Sequence, residues 1–333
     1  MIFIISNEFD ESTNQVQEWL FYLKKKHIRL NPSDFIIIKK IDFNRVVPNI
    51  FFSINNGGTI TTNEIKSFWY RRGDLNFNHE NIFKISLVDK NLEASVKSNL
   101  QDEIQTIKEL FWHLLEKKSN KTIGSYFTRN NNKLIHLSIA KSVGLNVPKT
   151  RICTERNQFL HFYKSNNREI ITKPISNLLA YWEKDKIDGN SYAIYTNQIK
   201  EKIVKTIPTS FFPTILQQKI DKRIELRIFY LKGKFYSMAI FSQQNKKTNI
   251  DFRKYDIKNP NYNTPFKLPK KIENKLDKFM NLVQLNTGSI DMVYSTDGKY
   301  YFLEVNPVGQ FGVVSYSCNY NLEKIIATEL ICN

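Results

Sequence analysis

YFLEVNPVGQFG, residues 301–312, sets an acid, an amide and a proline at the end of an apolar run. Taken alone, Glu304-Val305-Asn306-Pro307 reads as a strand running into a turn. Its neighbours give it more meaning. SIDMVYS (289–295) and KYYFLEV (299–305) flank Thr296-Asp297-Gly298, so the segment is the second strand of a β-hairpin. Asp291 then comes from the opposite strand, and strand alternation sets Glu304 and Asn306 on one face. Three oxygen donors in that arrangement suit Mg²⁺, which takes few carboxylates at about 2.0–2.1 Å and leaves room for water and phosphate. Pro307 ends the strand and stiffens the turn.

Further upstream, IELRIFYL and KFYSMAIF flank Lys232-Gly233 in another hairpin, and Ile272, Leu276, Phe279, Met280 and Val283 mark an amphipathic helix between the two hairpins. Lys133–Ser142 reads as a helix ending at Gly144, and Pro148 opens the strand that follows. REIITKPISN (168–177) is an apolar strand carrying Lys173. At the start of the chain, residues 2–5 form a strand, Val16, Trp19, Leu20 and Leu23 a helix face, and residues 35–38 a second strand, giving a β-α-β opening. Another strand at residues 67–70 precedes a long helix marked by Ile104, Ile107, Leu110, Phe111, Leu114 and Leu115. The coarse class is α+β: an α/β lobe followed by antiparallel hairpins.

Length and charge bound the function. The chain has 333 residues, 41% of them hydrophobic, enough for two or three lobes. Its formal charge of +17 favours a nucleotide, a nucleic acid, an anionic membrane surface or an acidic peptide. Between Lys219 and Lys258 stand eleven basic and four acidic residues, which concentrates that surplus; a charge-rich hairpin that merely keeps an edge soluble is the plainer account. Cys153, Cys318 and Cys332 form no CxxC pair, so neither a disulfide framework nor a thiolate zinc site is expected, and a reducing cytoplasm fits. The five histidines show no HxxxH spacing, and GxGxxG and GxxxxGK are absent. MIFIISNEFD lacks a basic n-region, and no segment approaches a membrane-spanning length.

The order of residues narrows this further. Lys133 stands at a helix start, Lys173 in a strand, Gln217-Gln218-Lys219-Ile220 at a strand end, then Glu225-Leu226-Arg227, then Asp291, Glu304 and Asn306. Over roughly residues 121–320 this series resembles the ATP-grasp superfamily, in which two antiparallel-sheet lobes clamp the nucleotide. The resemblance implies an N-terminal α/β pre-ATP-grasp domain (1–120), a central ATP-grasp lobe (121–215) and a C-terminal lobe with the magnesium site (216–333). It implies that Lys133 and Lys173 contact phosphates, that Gln217, Gln218, Lys219 and Ile220 form the adenine hinge, and that Glu225 reaches the ribose. Asp291, Glu304 and Asn306 would hold magnesium, with two ions expected. Arg227 and Arg253 are the candidates for the reacting end, since a guanidinium fork grips carboxylate or phosphoryl oxygens.

Trp69-Tyr70-Arg71-Arg72, Lys173-Pro174-Ile175-Ser176, Glu225-Leu226-Arg227 and Asp251-Phe252-Arg253 resemble, more narrowly, the graspetide synthetases of microviridin and grasp-with-spasm type. Those ligases activate Asp or Glu side chains of a ribosomal precursor peptide with ATP and form ester or amide macrocycles with Ser, Thr or Lys. The partner implied is a precursor with a leader and an acidic core, with Arg71, Arg72, Lys232 and Lys234 as peptide contacts. Neither a membrane nor a nucleic acid is expected as a partner, and a homodimer stays open. One departure is plain: Ser176-Asn177-Leu178-Leu179-Ala180-Tyr181 lacks the glycines of a phosphate loop. An ATP-grasp ligase adding an amino acid to a small molecule or protein tail is the alternative enzyme, and a basic nucleic-acid binder the alternative outside enzymes.

Overall fold

Four apolar residues form β1 (Ile2–Ile5) in the computed structural model, which describes residues 1–77, 85–130, 132–176, 180–182, 191–193, 196–243 and 260–331, with backbone alone at 180–182 and 191–193. β1 is bonded on both edges and buried throughout, so its sequence is continuously apolar instead of alternating. Asp10 caps the helix that follows, α1 (Glu11–Tyr22), accepting from Thr13 N, while Val16 and Leu20 turn inward. The chain returns beside β1 as the parallel strand β2 (His27–Leu30). β3 (Ile36–Asp42), β4 (Asn49–Ile54) and β5 (Ile60–Thr61) then form a separate antiparallel sheet. β6 (Ser67–Tyr70), α2 (Lys90–Lys118) and β7 (Lys121–Ile123) complete the first sheet in the order β2-β1-β6-β7.

The β-α-β opening is therefore real, but its second strand is His27–Leu30 and not the apolar run at 35–38. That run pairs with β4. His-Ile-Arg-Leu sits at a sheet edge with only Leu30 fully buried, and so carries little of the apolar signal that marks an interior strand.

The next stretch begins with α3 (Lys133–Ser142). The Asn132 side chain accepts from Leu134 N and Ile135 N at 3.1 and 3.2 Å, which fixes Lys133 as the first helical residue. β8 (Thr150–Glu155), α4 (Arg156–Ser165) and β9 (Ile170–Thr172) follow, then a two-stranded ribbon, β10 (Ala180–Trp182) with β11 (Ser191–Ala193). β12 (Asn197–Gln198), α5 (Glu201–Thr206) and β13 (Ser210–Gln218) finish a sheet of order β12-β9-β13-β8. Its core packs Phe159, Phe162 and Tyr163 of α4 on Cys153, Ile170 and Leu216.

A connection of three residues, 219–221, leads straight into the second sheet. It comprises β14 (Lys222–Leu231), β15 (Lys234–Phe241), β16 (Tyr262–Phe266), β17 (Thr287–Ser295) and β18 (Tyr300–Asn306), in the order β16-β15-β14-β17-β18. The β14–β15 turn takes φ of +45° at Lys232 and +84° at Gly233, the double positive pair that matches strand twist in a tight hairpin. α3 and α6 (Lys270–Leu282) cover one face, where Leu137, Ala140, Leu276, Phe279 and Met280 meet Leu226, Ile228, Met292, Phe302 and Val305. That apolar burial commits the other face to the polar residues of β14, β17 and β18.

Residues 1–129 with 321–333 form one compact unit, and 130–320 another. After α7 (Gly312–Cys318), the last helix α8 (Leu322–Glu329) packs on α1 in the first unit, burying Leu322, Ile326 and Ala327. The sequence-based division, which gives 216–333 to a single lobe, differs here because the apolar face of α8 is satisfied by α1.

Candidate active site

Three adjacent strands bring charge together on one sheet face. Arg227 on β14 stands opposite Asp291 on β17, and Asp291 opposite Glu304 on β18. Arg227 Nη1 donates to both Asp291 carboxylate oxygens at 2.8 Å. Lys133 Nζ, from the start of α3, lies 3.1 Å from Glu304 Oε2. Two neighbouring carboxylates are thus each matched by a cation, which offsets their mutual repulsion.

Bulges set this face. In β18 the register skips Leu303, so Asp291 opposes Glu304 while Met292 opposes Phe302. Phe302 and Val305 therefore enter the core while Leu303 and Glu304 both reach the opposite side. A second shift, between Lys222 and Ile224, puts Lys222 on the side of Glu225. Lys222 Nζ contacts Glu225 Oε1 at 2.8 Å, and Ser242 Oγ donates to the same oxygen at 2.6 Å.

A cavity of about 260 Å³ opens between the two sheets of residues 130–320. Pro148, Ile171, Val293 and Leu303 supply apolar walls; Lys173, Thr196, Gln198, Gln243, Glu225, Asp291 and Glu304 supply polar ones. Its floor is the connection itself, with Gln217, Gln218, Lys219, Ile220, Asp221 and Lys222 all lining it. The hinge is pinned from outside: Gln218 N donates to Lys149 O (2.8 Å), Lys219 N to Glu169 O (3.1 Å), and Thr296 N to Asp221 O (2.9 Å). Gln217 Nε2 donates to Thr150 Oγ1 and Lys219 Nζ reaches Glu169 Oε2, so both side chains fasten the strand end. A slot with mixed apolar and polar walls and a short backbone hinge has the form of a planar-ring site whose charged tail runs toward Asp291 and Glu304.

The sequence-derived residues do not all meet here. Lys173, Gln217, Gln218, Lys219, Ile220, Glu225, Asp291 and Glu304 line the cavity, and Lys133 and Arg227 adjoin it through their ion pairs. Asn306 opposes Ser289 at the strand end, and its Oδ1 accepts from Val308 N at 3.1 Å. The turn then presses against β17: a Cβ at Gly309 would fall 2.2 Å from the Ser289 side chain, so only glycine fits. Arg71 and Arg72 lie in the first unit, where both Nε atoms face Asp10 Oδ2 at 3.3 and 2.9 Å. Burial pushes the Arg71 guanidinium down to about 10. Lys232 and Lys234 flank the β14–β15 turn, roughly 15 Å along the strand from Arg227. Arg253 and its Asp251-Phe252-Arg253 context lie outside the described residues. Sequence reading missed Lys222 and Ser242, because the bulge that turns Lys222 inward leaves no trace in alternation.

The donor set fits a hard divalent cation. Asp291 and Glu304 are cross-strand neighbours, and the Asn306 amide oxygen keeps a lone pair beyond its bond to Val308 N. Among the described residues no cluster of three or more His, Cys, Asp or Glu side chains could hold a metal, so an amide or a ligand's own oxygens must complete this one.

Behind Lys133, His136 rests edge-on against Phe279, 5.8 Å between ring centres, and burial lowers its pKa. A base with a depressed folded pKa binds fewer protons folded than unfolded, so its contribution is complete above the ordinary histidine value and is lost as pH falls below about 6.5. The unfolding temperature should fall between pH 7 and 5.5, and His136→Leu should flatten that slope; an unchanged slope would rule the residue out.

Several solved structures share the fold over nearly the whole chain. A RiPP-associated ATP-grasp ligase from Chryseobacterium gregarium, in complex with ADP and a leader and core peptide, superimposes with a TM-score of 0.74 at 23% identity, over 99% of this chain and 94% of that one. The chain has the ATP-grasp fold. The macrocyclase MdnC from Microcystis aeruginosa, bound with precursor peptide MdnA, matches with a TM-score of 0.73 at 23% identity over 99% of both chains. The ATP-grasp ligase PsnB, complexed with minimal precursor, Mg and ADP, matches at 0.71 and 14% identity, over 99% of this chain and 96% of that one. No protein-family model matches the sequence, and no curated protein does. The ATP-grasp fold accounts for the paired sheets and for the cavity at their connection.

Proposed function

We propose that this protein is an ATP-dependent ligase that activates Asp or Glu side chains of a ribosomal precursor peptide and links them to Ser, Thr or Lys side chains as ester or amide macrocycles. The observation that carries the reading is the Arg227–Asp291–Glu304 ladder beside a cavity floored by the 219–221 connection. The structural neighbours named as a macrocyclase bound with precursor peptide and as a RiPP-associated ligase with leader and core peptide support the substrate class.

In this reading the base of ATP lies between Ile171, Val293 and Leu303, Glu225 meets the ribose, and Lys173 and Lys133 offset phosphate charge. Asp291, Glu304 and Asn306 hold magnesium, which when bound neutralises the phosphate oxygens and orients them. A peptide carboxylate oxygen bonds to the γ-phosphorus as ADP leaves. The hydroxyl or amine then attacks the resulting acyl carbon and expels phosphate, its proton passing to solvent. Arg227 suits charge developing on the phosphoryl oxygens, and Arg253 is assigned with it on the sequence motif. Among the peptide contacts, Arg72 keeps 30% of its side chain exposed while Arg71 keeps 5%, so Arg72 offers the larger surface. The Lys232–Lys234 turn, away from the cavity, is assigned to leader docking. Cys153 and Cys318 are buried free thiols, which fits a cytoplasmic setting, and among the described residues no helix is long and apolar enough to cross a membrane.

Incubation with ATP, Mg²⁺ and a precursor encoded beside this protein should remove one water per linkage, read by mass spectrometry. A gain of an amino-acid mass would transfer the reading to the amino-acid ligases, and an unaltered precursor with ATP consumed would exclude macrocyclisation.

A further inference from the structure

Lys133 is paired with a carboxylate that the fold offers to a metal, and that pairing says how the site is loaded. Asp291 and Glu304 are direct cross-strand neighbours, and a positive group lies on each, Arg227 Nη1 at 2.8 Å and Lys133 Nζ at 3.1 Å. The Lys133 and Glu304 side chains keep only 14% and 20% of their surface exposed. Water therefore screens this pair weakly, and each partner gains from the other's charge.

The local balance is two carboxylates against two cations. A divalent ion arriving alone would face positive charge already in place on both carboxylates, while Lys219 and Lys222 along the same cavity are matched by Glu169 and Glu225 and offer it no further acid. A polyphosphate arriving with the ion reverses the balance by supplying anionic oxygens for the ion and for the displaced ammonium together. The two pairs differ in how readily they can part. Arg227 is fixed by strand register directly across from Asp291. Lys133 is the first residue of a helix, reaching Glu304 through a flexible four-carbon stem with a single charged point at its end.

We propose that Lys133 is a resident counter-ion of the metal site, exchanged from Glu304 to phosphate when metal and nucleotide enter together, so that the metal binds tightly only with nucleotide. The inference rests on the nucleotide reading above and adds a linkage to it: by reciprocity, the factor by which nucleotide tightens the metal is the factor by which metal tightens the nucleotide. Arg227 keeps its Nη1 bonds to Asp291 throughout.

Mn²⁺ is the probe, its free concentration read by paramagnetic resonance with and without ADP, while ADP binding is followed by calorimetry in EDTA and in Mn²⁺. In the wild-type protein ADP should tighten Mn²⁺ at least tenfold. Lys133→Met should bind Mn²⁺ without ADP at least tenfold more tightly than wild type and lose most of that coupling, whereas Glu304→Gln should weaken Mn²⁺ in every condition. Equal Mn²⁺ affinity with and without ADP, or no gain in Lys133→Met, would overturn the exchange while leaving nucleotide binding intact. Absence of ADP binding in all conditions would overturn the nucleotide reading and the exchange with it.

Discussion

Glu304→Gln should lower ATP turnover about a hundredfold while the protein stays folded. The substitution keeps the length and shape of the side chain, and its amide oxygen can still accept from Lys133, so what it removes is charge. Glu304 lines the cavity on the polar side of the sheet, and it does not belong to the apolar core on the other side. Stability should therefore change by only about 1 kcal/mol, the usual net worth of one altered hydrogen bond. In the proposed role of magnesium ligand, a neutral side chain would weaken both the hold on the metal and the neutralisation of the phosphates. Turnover and circular dichroism measured on the same preparation decide the matter. Undiminished turnover would remove Glu304 from the site; loss of turnover together with loss of helix signal would make the residue structural.

Phe302→Ala, two residues away, should do the opposite. Its ring is fully buried, 4.8 Å from Phe279 centre to centre, in the cluster that α3 and α6 cover. Truncating such a ring costs about 3–5 kcal/mol in transfer energy and cavity formation. For a unit of this size that corresponds to a fall of roughly 10 °C in unfolding temperature. Catalysis at low temperature should survive in part, because no polar group of the cavity is touched. A shift below about 1 °C in a thermal melt would show that β18 is not anchored through this ring.

The two variants also show how unevenly the sequence reports on the structure. The helix at about Lys133–Ser142 was readable, since Gly144 marks its end and Pro148 the strand that follows. Both hairpins were readable from their turns, because Lys232-Gly233 and Thr296-Asp297-Gly298 place glycine where φ is positive. His27–Leu30 was not, because an edge strand with one buried residue carries almost no periodic signal. The return of α8 to α1 was not either: amphipathic spacing tells that a helix has an apolar face and never which surface receives it. Within the site, Asp291 and Glu304 were legible as a cross-strand pair. Their cations were less so, for Lys133 and Arg227 read as partners of phosphate and substrate, whereas the fold places each on a carboxylate. Such pairings depend on register and helix placement, which residue spacing does not fix.

The bulge at Leu303 separates two properties that a regular strand ties together. In an unbroken strand, residues two apart share a face, yet Phe302 is anchored in the core and Glu304 looks into the cavity. Removing Leu303 would restore simple alternation with Phe302, Glu304 and Val305 still on their present sides, while the local bend and twist and one apolar wall of the cavity would be lost. The extra residue therefore works as a sight adjustment on a fixed mount. Comparing a Leu303 deletion with the intact chain would measure the aim of Glu304 separately from its side.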